Sequence, residues 1–335
     1  MGDSLHGLEV RSPTRADLPA IRELYRATKG RLRPGGYDAW RFFDTPLGDS
    51  PSLVALQDGA CIALYLMWPA GLSLGGETVQ AVQIMDVMTH PDHRRRGLFL
   101  DLAEGTRRIA LERGFELGYG FPNELSLSLF VRHRNAHHVG NVGTWSADFR
   151  GRILRSGRRR QPSVKGVDLD PTRPESGELE SLVGELHREP GVCRVEKSLA
   201  YLDWRYSEAS GERYDWLSLR SPGGELLAAS LVGERDEAWG GDFAGVARVH
   251  ELFARTEEHA TLLLRWAAVR EAKRDALKLQ ILVKDPLIQA ALDRSGYRRE
   301  ADVAFLVRPF TGRAFAGNVH HFPAWRIISG DMDFY

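Results

Sequence analysis

A chain of 335 residues exceeds what one hydrophobic core usually serves, so two domains of roughly 150 residues each are expected. Hydrophobic residues make up 43% and charged residues 27%, which excludes a disordered chain, and no run approaches the ~18 apolar residues that a membrane helix requires. Lys plus Arg (45) balance Asp plus Glu (45), so no global field recruits nucleic acid or anionic lipid, and a polyanion site must come from local clustering.

Leu8-Glu9-Val10 reads as a short strand, and Thr14-Arg15-Ala16-Asp17 as a capping box opening a helix with Leu18, Ile21 and Tyr25 on one face. Apolar runs at 53–56 and 62–66 flank Gln57-Asp58-Gly59-Ala60, a hairpin signal because Gly accepts positive φ. A strand over 80–89 leads into an arginine-glycine segment. A helix follows whose Leu98, Leu102, Gly105 and Ile109 recur at helical spacing. A strand over 115–121 is broken by Pro122-Asn123, and a helix over 124–133 and a strand over 139–145 complete a first domain, 1–149. Asn135 stands between those last two elements, where a left-handed residue is expected and Asn tolerates it.

Residues 150–178 hold six arginines by Arg160, then prolines and glycines with little apolar periodicity, and read as a linker. The remainder, 179–335, repeats the first domain in outline. It has a helix over 182–187, strands over 216–219 and 226–232 about a Ser221-Pro222-Gly223-Gly224 turn, and a strand over 248–254. A helix over 257–273, a strand over 277–283, a helix over 286–294 and a strand over 303–307 follow. Between the strand at 248–254 and its helix stand only Arg255-Thr256-Glu257-Glu258-His259, two acids where the first domain has three arginines and Gly97.

The segment Thr89-His90-Pro91-Asp92-His93-Arg94-Arg95-Arg96-Gly97-Leu98-Phe99 offers what a pyrophosphate needs: unpaired N–H groups at a helix start, a positive dipole end, and Gly97 without a Cβ at the closest approach. Arg94, Arg95 and Arg96 add charge-assisted bonds, and Pro91 ends strand pairing where the loop turns away. Placed after a strand and before a helix, the segment resembles motif A (R/Q-x-x-G-x-G/A) of the Gcn5-related N-acyltransferase (GNAT) superfamily. Arg94 and Gly97 match it, and Phe99 stands where Gly or Ala is usual. The resemblance implies an α/β (α+β) fold of two GNAT-like domains, each a mixed, mostly antiparallel sheet flanked by helices, the second lacking the phosphate loop. It implies acetyl-CoA or another acyl-CoA as co-substrate, held by Met88, Thr89, Arg94, Arg95, Arg96, Gly97, Leu98 and Phe99. Tyr119-Gly120-Phe121-Pro122-Asn123 further resembles a bacterial tandem-GNAT subgroup linked with surface-polysaccharide loci and amino-sugar acylation, in which Asn123 would contact the cofactor.

Amine acylation needs a base for the amine and a proton for the departing thiolate. By parity with Thr89, the inward positions of the motif strand are Val87, Met85 and Gln83, none of them a base. Asp86 has the opposite parity and reads as a buried structural carboxylate, with catalysis as the other reading. The tyrosine acid usual in the family is replaced by Phe130 and Val131, which leaves that role to water. The aromatic and acidic tail over 325–335 has the apolar content to dock. In some tandem GNAT enzymes the tail reaches the first domain's cleft, where Asp331, Asp333 or the terminal carboxylate would act on the amine.

The expected activity is acyl transfer from acetyl-CoA to a small-molecule amine by direct attack, with an amino sugar as first acceptor and antibiotic or protein amines as alternatives. A non-catalytic acyl-CoA sensor is the rival reading. Neither a nucleic-acid nor a membrane partner is expected, and a homo-oligomer stays open. No metal is expected: His133, His137 and His138 lack the cysteine or carboxylate company of a zinc site. Cys61 and Cys193 suit buried reduced thiols, and with no apolar leader after Met1-Gly2-Asp3-Ser4 a cytoplasmic location is expected.

Overall fold

Turn chemistry and apolar alternation lay out the first repeat. In the computed structural model, which describes residues 7–133, 135–149, 166–235 and 245–332, it runs β1 (Glu9–Arg11), α1 (Leu18–Lys29), α2 (Tyr37–Phe43), β2 (Ser52–Gln57), β3 (Ala60–Leu74), β4 (Glu77–Thr89), α3 (Leu98–Glu112), β5 (Leu117–Gly120), α4 (Glu124–His133) and β6 (His137–Asp148). Asp58 (φ 50°) and Gly59 (φ 79°) both take the positive φ that a two-residue hairpin between β2 and β3 requires. Asp17 fixes the start of α1, accepting from the Thr14 N–H at 2.7 Å and the Arg11 Nη1 at 2.6 Å. Asn135 adopts φ 49°, as expected at that corner.

The second repeat runs β7 (Asp168–Asp170), α5 (Ser176–His187), β8 (Cys193–Val195), α6 (Leu199–Arg205), β9 (Glu212–Arg220), β10 (Leu226–Arg235), β11 (Val246–Ala254), α7 (Glu257–Lys273), β12 (Lys278–Lys284), α8 (Pro286–Ser295), β13 (Arg298–Pro309) and β14 (Ile327–Ile328). The expected linker falls largely on residues 150–165, outside the described residues; within its remainder β7 pairs with β9 and α5 begins.

All strands join one sheet in the order β1-β2-β3-β4-β5-β13-β6-β12-β11-β10-β9-β7, with β8 on β3 and β14 on β12. Read from either edge, the order gives the same string of equivalent strands. The pairs β4/β5 and β11/β12 are parallel, as a strand-helix-strand crossover requires; the other strand pairs are antiparallel. The last strands of the two repeats are exchanged. β6 pairs with β12 of the second repeat, β13 pairs with β5 of the first, and β6 and β13 pair with each other at the centre.

Helices α1, α2, α5 and α6 share one apolar cluster across the repeats, including Ile21, Trp40, Leu182, Leu202 and Trp204. Trp40 and Trp204 stack at 5.1 Å, and each indole N–H donates to the other's backbone carbonyl, at 2.9 and 3.4 Å. Separate clusters underlie α3 in the first repeat and α7 with α8 in the second. Cys61 and Cys193 are buried free thiols.

Candidate active site

The site begins at a bulge in β4. Leu66 pairs with Met85 and Leu64 with Met88, so β4 carries one residue more than β3 across Tyr65. Asp86 takes up the excess with φ 45°, a region that L residues other than Asn and Asp rarely enter. Two guanidiniums hold it there. Arg33 Nη2 lies 2.6 Å from both carboxylate oxygens and Arg41 Nε 2.9 Å from one of them, while Arg33 also pairs with Asp38 at 2.9 Å and sits 3.9 Å over the Tyr25 ring. Burial opposes ionisation of Asp86, but the two arginines outweigh it and hold the carboxyl below the usual range. A carboxylate so engaged is a weak base, and its geometry is that of the structural reading.

The bulge overturns the parity expected for this strand. Met85 and Met88 share the face packed by α1 and α2, whereas Val87 packs on the α3 face, so Met85 and Val87 do not point the same way. The extra residue breaks the period of two. β4 and β5 pair only from Ala81↔Leu117 to Ile84↔Gly120, and beyond this they part around a cleft of about 160 Å³. Met88, Asp86, Phe121, Asn123 and Phe130 line it, together with Lys29 from α1 and Leu306 from the exchanged β13. Lys29 and Asp86 are the ionisable lining groups among the described residues. Phe130 is buried and Val131 exposed, so neither supplies an acid. Asn123 lines the cleft and caps α4, its Oδ1 accepting from the Ser126 N–H at 2.9 Å.

Beyond Thr89 the chain makes a tight turn at Pro91–His93, and Arg95 (φ 66°) and Gly97 (φ 80°) turn it into α3. Gly97 is the N-cap, and the Leu100 N–H donates to its carbonyl at 2.9 Å, so the Leu98 and Phe99 N–H groups precede the first intrahelical bond and have no helical acceptor. Arg94, Arg95 and Arg96 are exposed around this helix start. The Phe99 ring packs inward, 5.3 Å from Phe130 and 6.0 Å from Tyr65, so its side chain leaves the backbone approach open. Of the expected cofactor contacts, Met88 and Asn123 line the cleft, while Thr89 ends β4 and Arg94 to Phe99 form the turn into α3.

Asp331 is placed elsewhere. It lines a cavity of the second repeat, buried and paired with Lys197 at 2.5 Å, which corrects the expectation that the tail brings it into the first repeat's cleft. The tail is instead drawn into the gap where β11 and β12 part. Those strands pair from Val246↔Lys278 to Arg248↔Gln280, and beyond this β14 takes the β12 edge through Val283↔Ile328 and Lys284↔Ile327. Ser329 Oγ accepts from the Leu282 N–H at 2.9 Å. Asp333 lies outside the described residues. At the start of α7, Thr256 Oγ1 accepts from the His259 N–H at 3.2 Å and Glu257 and Glu258 fill the first turn, where their charge opposes an anion.

Arg33, Arg41, Lys29 and Leu306 were missed by sequence reasoning. Arg33 and Arg41 stand in a stretch with no recognised element, and Leu306 reaches the cleft only through strand exchange. Among the described residues no group of His, Cys, Asp and Glu could hold a metal ion; the His137 ring packs against His320 at 4.4 Å, and His138 bonds Asn141 at 2.9 Å. No helix among the described residues is long and apolar enough to cross a membrane.

Residues 9–129, which carry the bulge, the splayed strands and the arginine-glycine loop, match the Acetyltransferase (GNAT) domain. The fold is the GNAT fold. A GCN5-related N-acetyltransferase from Anabaena variabilis is similar with a TM-score of 0.64 at 12% identity, over 91% of this chain and 73% of that one. A tandem GNAT protein from the clavulanic acid biosynthesis pathway gives 0.63 at 14% identity, over 92% and 100%. Saccharomyces cerevisiae N-myristoyltransferase with bound myristoyl-CoA gives 0.64 at 9% identity, over 90% and 79%. No curated protein matches the sequence at a significant level.

Proposed function

We propose that the protein transfers an acyl group from acyl-CoA to a primary amine, using the cleft between β4 and β5. The observation that carries this is the parting of those strands at the Asp86 bulge directly before the arginine-glycine turn and the open N-terminus of α3. A thioester lying along the freed edge of β4 would have its carbonyl polarised by a backbone N–H there, while the pyrophosphate meets the Leu98 and Phe99 amides and the three arginines. The amine nitrogen attacks the carbonyl carbon, the C–S bond breaks, the thiolate takes a proton and the new amide loses one. With Asp86 held by two arginines, water serves the proton transfers.

The small cleft volume of about 160 Å³, with Phe121, Phe130 and Leu306 in its lining, favours acetyl or another short acyl group. The likeness of Tyr119 to Asn123 to the polysaccharide-locus subgroup makes an amino sugar the first acceptor to test. The test is free-thiol release from acetyl-CoA against a panel of amino sugars, aminoglycosides and peptide amines. Turnover with one class, lost on Gly97→Glu, is expected. The absence of turnover with every amine, alongside tight CoA binding, would instead support the acyl-CoA sensor, a reading favoured by a cleft whose ionisable lining groups among the described residues are Lys29 and the arginine-paired Asp86.

A further inference from the structure

The cavity beside β11, lined by Glu251 to Ala254, takes no part in the acyl transfer described above. It measures about 250 Å³. Its charged end is Lys197, Glu251 and Asp331, exposed by 5, 0 and 3%. Lys197 Nζ sits 2.8 Å from Glu251 Oε1 and 2.5 Å from Asp331 Oδ1. The Tyr206 phenol donates to the same Glu251 oxygen at 2.5 Å, and the Ile328 N–H donates to Asp331 Oδ2 at 2.9 Å. Glu251 Oε2 is buried and has no hydrogen-bond partner among the described residues. A buried acceptor without a donor costs about 1–3 kcal/mol, more when charged, and Glu251 is a lining residue of the cavity, so a donor that reaches Oε2 from there would recover that cost.

Charge tells which donor fits. At the buried end two carboxylates pair with one ammonium, while the neighbouring Arg205 guanidinium, 5.6 Å from the Tyr206 ring, donates to the Met332 carbonyl at 3.4 Å. At the rim the cations are already matched: Arg194 pairs with Glu189 at 2.7 Å, and Arg326 lies 3.5 Å from Glu189 and 3.7 Å from Asp285. Burial pushes His187 down to about 3, so its ring adds no charge. Burial first, and Asp331 against the pull of Lys197, push the Glu251 carboxyl above the usual range, and a cation at Oε2 would favour its ionised form. The other walls, among them Leu186, Phe253, Leu287 and Ile327, are apolar.

We infer that this cavity is a second ligand site, binding a small primary amine as its ammonium, with the head group donating to Glu251 Oε2 and the carbon body against Phe253 and Leu287. The site is separate from the acyl-CoA cleft, and none of its residues lines that cleft.

Three probes of one carbon skeleton test it by titration calorimetry on the full chain saturated with CoA: cyclohexylmethylammonium, cyclohexylmethanol and cyclohexanecarboxylate. The ammonium should bind one to one, at least about tenfold tighter than the other two, as expected for an added charge-assisted bond. Glu251→Gln, which keeps shape and removes charge, should weaken it about tenfold with CoA affinity unchanged. Leu287→Trp should fill the cavity and abolish binding even where Glu251→Gln does not fold. Equal binding of the alcohol or the carboxylate, or retention of ammonium binding by a folded Glu251→Gln or Leu287→Trp protein, would overturn the assignment.

Discussion

The two repeats build the same device and finish it differently. Both β4 and β11 carry a one-residue bulge on the strand that precedes the crossover helix, at Asp86 and at His250, where Leu231 pairs with Glu251 and Val232 with Val249. Both lie beside a buried ion cluster, Arg33-Asp86-Arg41 in one and Lys197-Glu251-Asp331 in the other. In the first repeat the parting strands leave a cleft and α3 begins at Gly97 among arginines. In the second the gap is taken by β14 and α7 begins at a Thr256 cap among glutamates. A bulge therefore opens the sheet in both repeats, and the repeats differ in the loop after it and in the segment laid against it.

The strand exchange sets the largest expected effect. Fragments 1–149 and 166–335 expressed separately should each fail to unfold cooperatively, because β6 and β13 would lose β12 and β5, whereas co-expression should restore one particle with a single thermal transition. A fragment that melts cooperatively alone would show that the repeats are independent folding units.

Next comes Gly97→Glu, which sets a carboxylate against the pyrophosphate; like charges in contact cost several kcal/mol, so CoA affinity should fall by roughly 10²-fold or more. Replacing Arg94, Arg95 and Arg96 with Ala gives the same direction without the strain of a side chain at φ 80°. Glu257 and Glu258 changed to Ala should leave CoA binding untouched, since the tail still fills that gap.

The ion clusters should separate stability from ligand binding. Asp86→Asn takes the shared carboxylate from buried Arg41 and leaves Arg33 with Asp38 alone, and Lys197→Met leaves two buried carboxylates without their ammonium; each should cost about 3–5 kcal/mol in urea unfolding. Only Asp86→Asn should also weaken CoA, since it alone releases the bulge that parts β4 from β5.

The smallest effects lie in pH dependence, and the two clusters should act with opposite sign. Asp86 has a depressed value in the fold, so its contribution is full above its unfolded value of ~3.9 and is lost as pH falls through the folded value. Glu251 has a raised value, so stability declines as pH rises from its unfolded value of ~4.3 to the folded value. Unfolding free energies should therefore lose their acid-side fall below about pH 4 in Asp86→Asn, and their decline above about pH 4.3 in Glu251→Gln.

Much of the scaffold was legible because its signals are local. Asp58-Gly59, the period of α3, and the approximate span of α7 at 257–273 follow from turn chemistry and helical spacing within short windows. Helix α2 was not legible: seven residues, four of them aromatic, entered through Gly36 at φ 79°, give no usable period. The exchange of β6 and β13 was hidden because pairing partners lie far away in sequence, and their periodicity fits either neighbour. In the site, the arginine-glycine loop is contiguous and could be read, whereas the bulge shifts parity by one residue and misassigned Val87. The tail's aromatic content correctly implied docking, but composition carries no address, and Asp331 went to Lys197.

The most direct measurement is the stoichiometry of CoA binding by titration calorimetry on the intact chain. The account predicts one molecule of CoA per chain, with binding lost in Gly97→Glu and unchanged in Lys197→Met. Two molecules per chain, or one that survives Gly97→Glu, would contradict it.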